Sequence, residues 1–211
     1  TPREQPRRRR PSASTALPDG PPAPPADLAR RRLPIERLDP GARLFRIHRA
    51  ELAALHFGTS ATNRFDDPAG VFGVCYAARS PEGAFAETCL RAVGEQFVTR
   101  GFLAARRLCE IAVVGTLRLA ALHGPGLAPL GATAAIAAGD YRTAQCWSAA
   151  IHAHPAEVDG IAYRANHDNG ELSAALFDRC RSSLQAGASA DLLADPARLA
   201  QLLDRYAVGL G

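Results

Sequence analysis

From Leu44 onward, short apolar runs alternate with turn-forming residues, and their lengths and periods predict strands mixed with helices. Leu44 to His48 reads as a strand in which Arg46 and His48, two residues apart, share one face. Val71 to Ala78 is mostly apolar and bounded by Pro68-Ala69-Gly70 and Arg79-Ser80-Pro81, which suits a strand covered on both faces. A helix should follow, with Ser80 as N-cap, Pro81 at its first position and Glu82 at the positive end of its dipole. Its apolar stripe is Phe85, Cys89, Ala92 and Val93, and its end is expected near Gly94. Glu87 lies two residues from Phe85, about 200° around such a helix, so it is either solvated or faces a pocket.

Further along, Glu110 to Val114 and Leu117 to Ala121 read as strands, and Tyr141 to His154 as a helix stopped by Pro155. Asp159-Gly160 turns into a strand over Ile161 to Arg164, Asn169-Gly170 is a turn signal, and Ala174 to Phe177 is a further strand. Asp195-Pro196 opens a last helix whose Leu199, Leu202, Leu203 and Tyr206 recur at i, i+3, i+4 and i+7. The pattern has no internal repeat, and its hairpin-like spacing favours α+β over a doubly wound sheet. The expectation is one compact α+β domain over residues 36–211, with a small mixed sheet flanked by helices.

Residues 1–35 look different. They hold Arg7 to Arg10, five prolines between Pro18 and Pro25, and Arg30 to Arg32. So few apolar side chains cannot offset the entropy of ordering, which predicts a disordered head. That head carries eight arginines against three acids, a net +5, while the remaining 17 arginines and 18 acids leave the domain at −1. The chain's +4 therefore says little about the domain's ligand, and nucleic acid is unlikely as a partner except through the head or through another protein. The chain has no lysine, which excludes lysine-based catalysis. Cys75, Cys89, Cys109, Cys146 and Cys180 show no metal-binding spacing and read as small apolar residues of a reducing cytosol. No apolar stretch is long enough to span a bilayer and no signal-peptide core is visible, so a cytoplasmic location is expected.

Dinucleotide and phosphate-loop glycine motifs are absent, as are H-x-x-x-H and G-x-S-x-G, and His152 and His154 are too close-set for one helical face and read as a surface pair. What remains is dense in polar and aromatic residues: Asn63 to Pro68, Phe72 to Ala78 and Ala84 to Thr88. An arginine in a turn, Arg64, a tyrosine on the next strand, Tyr76, and a glutamate on the next helix, Glu87, can converge at one sheet edge.

These segments resemble the RES domain toxins of bacterial RES–Xre toxin–antitoxin pairs. The family pattern runs L-Y-R-x-H, R-F-D-D-P, F-G-V-L-Y-x-A-x-S, A-x-x-E-T, D-G-I-x-Y-x-S-R-H-D and A-L-F. Its counterparts here follow in that order: Leu44 to His48, Arg64 to Pro68, Phe72 to Ser80, Ala84 to Thr88, Asp159 to Asp168 and Ala175 to Phe177. The resemblance implies a fold similar to ADP-ribosyltransferase toxins and an NAD+-consuming activity, by phosphorolysis, hydrolysis or ADP-ribose transfer to a protein. It also implies a neutralising Xre-type antitoxin, and NAD+ as substrate with no metal.

By that resemblance, Arg64, Tyr76 and Glu87 are the catalytic candidates, and Arg46, Arg64, Phe65, Tyr76 and Asn166 would hold the dinucleotide. Paired guanidinium donors suit the pyrophosphate. Tyr76 would pack on the nicotinamide or its ribose, and Glu87 would stabilise the cation developing on that ribose. One departure matters: the family's serine falls on Ala165 and the following arginine on Asn166. A lost hydroxyl contact of about 1.5–3 kcal/mol slows a reaction roughly ten- to two-hundredfold without abolishing it. Two other readings stand beside this one: a RES-fold protein that binds nucleotide or a partner without turnover, and a nucleic-acid binder working through the arginine-rich head.

Overall fold

A computed structural model describes residues 20–90 and 97–211. In chain order the elements are β1 (Ile35–Leu38), β2 (Arg43–Arg49), β3 (Val74–Ala78), α1 (Pro81–Cys89), β4 (Phe97–Val98), α2 (Arg100–Ala104), β5 (Arg106–Val113) and β6 (Leu117–Leu122). They continue with α3 (Leu127–Leu130), α4 (Ala135–Ala138), α5 (Tyr141–His152), β7 (Gly160–Ala165), β8 (Asp168–Phe177), β9 (Leu184–Asp191), α6 (Pro196–Arg205) and β10 (Gly209–Leu210). Eight strands form one sheet in the order β1-β6-β7-β8-β3-β2-β5-β9, while β4 and β10 pair separately. The α+β class stands, but the sheet is large where a small one was expected. Only β6 and β7 run parallel within it.

This sheet cannot be flat. β1 and β2 are five strand positions apart, about 24 Å at the usual spacing. The four residues 39–42 between them reach at most about 17 Å. The link from β5 to β6, also five positions apart, is shorter still, residues 114–116. The sheet therefore folds over on itself, and the Gly41 N–H bonds the Val113 carbonyl where the two links meet. Leu44, Cys75, Ala77, Ile111, Leu119, Ala162 and Leu176, from six strands, fill the enclosed side as one cluster. A second cluster packs α5 with Trp147 and Ile151 on the outer face of β6, β7 and β8, and a third packs α1 and α6 around Phe85.

Ser80 caps α1 by accepting the Gly83 N–H at 2.9 Å, and Leu90 leaves helical geometry; Gly94 lies outside the described residues. Asp140 and Asp195 cap α5 and α6 in the same way. The turn signal at Asn169-Gly170 falls inside β8, because the hairpin closes earlier, at Asn166-His167, with Ala165 opposite Asp168. A bulge after Arg164 absorbs the extra residues, and the Asp168 carboxylate accepts the Gly170 N–H there. His154 is buried rather than on the surface, and His152 stacks on Phe72 with 3.8 Å between ring centroids.

The head also needs correcting. Residues 20–33 pack as a strap over α3 and α5, with Leu28 and Leu33 inside the second cluster. Two leucines and several prolines, whose chain has little entropy to lose, suffice to hold it. Arg7 to Arg10 lie outside the described residues.

Candidate active site

The cleft arises where the ladder fails. β2 and β3 are neighbours that share one register pair, Phe45 with Ala78, and then diverge. Arg46 fills part of the gap: its guanidinium donates to the Tyr76 carbonyl at 2.8 Å and to Cys75 Sγ at 3.1 Å. Its Nε is buried with no protein partner. The opening forms a cavity of about 600 Å³, large enough for a nucleotide-sized ligand. Arg46, Arg49, Arg64 and Arg106 line it, and Glu87 is the one carboxylate among the described lining residues. Such a wall suits an anionic ligand, and a carboxylate in it can stabilise a positive charge that develops nearby.

Arg64, Tyr76 and Glu87 all face this cavity. Glu87 is half-buried, not solvated, and both its oxygens are held: Oε2 accepts the Tyr163 hydroxyl at 2.7 Å and Oε1 the Asn166 backbone N–H at 3.1 Å. Arg64 donates to the Gly139 carbonyl at 2.6 Å, with its guanidinium carbon 4.6 Å from the centre of the Tyr141 ring. Tyr76 donates its hydroxyl to Asp66 Oδ1 and accepts the Phe65 N–H, both at 2.9 Å. Burial, then the Asp66 carboxylate, pushes the Tyr76 phenol well above its ordinary value; burial and then Glu87 do the same to Tyr163. Both phenols therefore stay protonated, and the Tyr163 O–H remains a donor to Glu87.

One expected contact is ruled out by the fold, and a second residue meets the site differently. Phe65 is fully buried, 4.8 Å from the Tyr163 ring and away from the cavity lining, because its neighbours Arg64 and Asp66 turn the chain so that its ring enters the core. Its contribution is the N–H that fixes Tyr76. Asn166 does line the cleft, but it reaches Glu87 through its backbone, while its exposed side chain lies 3.4 Å from the His167 ring. Ala165, at the family's serine position, is buried and lines a neighbouring, more apolar cavity of about 750 Å³ that shares Asn166 with the cleft. The backbone N–H of Asn166 thus gives Glu87 a partner that does not depend on the missing hydroxyl.

Residues absent from the sequence-based site do much of the positioning. Asp66, fully buried, accepts from the backbone of Thr62 and Asn63 and from the Tyr76 hydroxyl, so one carboxylate shapes the loop that carries Arg64. Tyr163, Tyr141 and Gly139 hold Glu87 and Arg64. Asp66 and Tyr163 sit inside the quoted motifs, but their partners could not be read from spacing. Four of the cysteines are buried, and burial raises Cys75 and pushes Cys180 up to about 12, so neither of these two is a ready nucleophile.

A folded-over mixed sheet is thus split by an arginine-lined cleft, faced by one fixed carboxylate from the first helix. The chain belongs to the RES domain family, whose model matches residues 43–195. Among solved structures, a chain of the M. tuberculosis MbcT-MbcA toxin-antitoxin complex shares the fold at 20% identity and a TM-score of 0.58. That likeness covers 85% of this chain and 98% of the other. No curated protein matches the chain at the sequence level.

Proposed function

We propose that the cleft binds NAD+ and breaks its nicotinamide–ribose bond, and that the protein is the toxin of a toxin–antitoxin pair. The observation that carries this is Glu87, fixed through both oxygens at the wall of an otherwise cation-lined cavity. Arg64, with Arg46, would take the pyrophosphate, and the exposed side of Tyr76 would pack on the nicotinamide or its ribose. As the carbon–nitrogen bond lengthens, nicotinamide leaves with the bonding pair and positive charge grows on the ribose, opposite Glu87. Water, phosphate or a protein side chain then takes the ribosyl carbon. The RES family assignment and the neighbour's toxin–antitoxin title support the toxin reading and a protein antitoxin as partner, of Xre type by the family resemblance. No helix of the described residues is long and apolar enough to cross a membrane; a cytoplasmic site of action belongs to the proposal.

Purified protein incubated with NAD+, with and without phosphate, tests it through free nicotinamide. Release above a Glu87→Ala control supports the reading, and phosphate dependence identifies the acceptor. Ala165 favours one second reading, a protein that binds NAD+ with little turnover. Calorimetric binding without nicotinamide release would select it.

A further inference from the structure

Arg64 is held by the turn between α4 and α5, and that turn is held by the N-terminal strap. The turn carries one partner of Arg64, the Gly139 carbonyl, and the first residue of α5 the other, the Tyr141 ring. Pro21 of the strap lies against Gly139 so closely that a Cβ there would come within 2.9 Å of two proline ring carbons. The next residue is pinned as well, since the buried Trp147 indole of α5 donates to the Pro22 carbonyl at 2.7 Å. The strap's other end is fixed independently. The His154 Nδ1 accepts the Ala156 N–H, so its Nε2 carries the proton and donates to the Arg31 carbonyl at 3.1 Å. Leu28 is buried between these anchors, and Leu33 just beyond the second.

From this chain of contacts we infer that Pro21, Pro22 and Trp147 are positioning residues for the anion-binding arginine of the cleft. The strap clamps the α4–α5 turn, and the turn aims Arg64. A guanidinium fork binds phosphate well only when its orientation is set in advance, so releasing the clamp weakens substrate binding and leaves the chemistry at Glu87 intact. The strap, residues 20–33, lies outside the segment that matches the family, residues 43–195. The inference rests on the NAD+ reading for its kinetic consequence and on geometry alone for the clamp.

The test compares the full chain with a chain beginning at Ala23, which loses Pro21 and Pro22, and with Trp147→Phe, which keeps a ring and loses the donor. A chain beginning at Gly20 is the control for removing the tail alone. Expected in both variants is a rise of about tenfold in KM for NAD+ with kcat within about twofold, and faster amide hydrogen exchange over Gly139 to Thr143. The control matches the full chain in all three. An unchanged KM in both variants, or a fall in kcat at constant KM, overturns the clamp. If the full chain releases no nicotinamide, the NAD+ reading fails by itself. Exchange and inorganic pyrophosphate binding then decide, and no change in either overturns the clamp. Should Trp147→Phe lose its cooperative thermal transition, the chain beginning at Ala23, with Trp147 intact, carries the test.

Discussion

Tyr163 holds the Glu87 carboxylate in place. The phenol is buried, stays protonated and donates at 2.7 Å. Tyr163→Phe should therefore lower kcat for nicotinamide release about ten- to a hundredfold with little change in KM, because the lost bond orients the carboxylate and touches no phosphate. A tenfold rise in KM at constant kcat would instead mean that Tyr163 contacts substrate binding groups. Ala165→Ser restores the family's hydroxyl at a buried position, and kcat/KM should rise about tenfold; a variant no faster than the parent would show that the Asn166 N–H already does that work. Arg64, Tyr76 and Glu87 were legible because each is a chemically distinctive residue inside a quoted motif. Asp66 and Tyr163 were spelled out in the same motifs, but a carboxylate's partner in the fold leaves no trace in local spacing. Phe65 was misplaced for the same reason: neighbouring a cleft residue does not decide which way a ring points.

Among the elements, the separation of β2 from β3 after one pair creates the site, and the tight packing of β7 between β6 and β8 preserves it. Gly160 starts β7, and a Cβ there would fall against the Ala175 carbonyl oxygen and 3.0 Å from Leu176 Cα. These are backbone atoms of the neighbouring strand, so Gly160→Ala should cost about 2–4 kcal/mol in urea unfolding; a loss below about 0.5 kcal/mol would mean the strands part easily. Capped helices were the most readable elements, since Ser80 and Asp195 announce their own starts. The hairpin was less so, because Asn169-Gly170 spells a turn that the Ala165–Asp168 register overrides. The strap was invisible to composition, which weighs its arginines and prolines but not Leu28 and Leu33 finding a groove.

The order of the eight strands could not be read from the sequence at all, since β5 and β6 are consecutive yet lie five positions apart. What binds that assembly at neutral pH includes groups whose protonation in acid opposes the fold. His152 lies below its ordinary 6.5, through burial and then the Arg179 guanidinium that donates to its Nε2 at 2.6 Å. Glu36 lies below its ordinary 4.5: burial opposes its ionisation, but bonds from Arg79 and His123 outweigh that. In each case the unfolded chain takes up its proton first, so stability is complete above the unfolded value and falls as pH drops through it. Urea unfolding should weaken first below about pH 6.5 and again below about pH 4.5. His152→Gln should abolish the first step alone, and a first step of undiminished size in that variant would place its origin elsewhere.

Whether the cleft does what its walls suggest is answered most directly by a crystal structure of Glu87→Gln soaked with NAD+, the substitution preserving shape while slowing cleavage. Expected is intact NAD+ between β2 and β3, its pyrophosphate on Arg64 and its nicotinamide-bearing ribose carbon about 3.5 Å from the residue 87 side chain. Dinucleotide bound elsewhere, or bound with that ribose turned away from residue 87, would contradict the assignment.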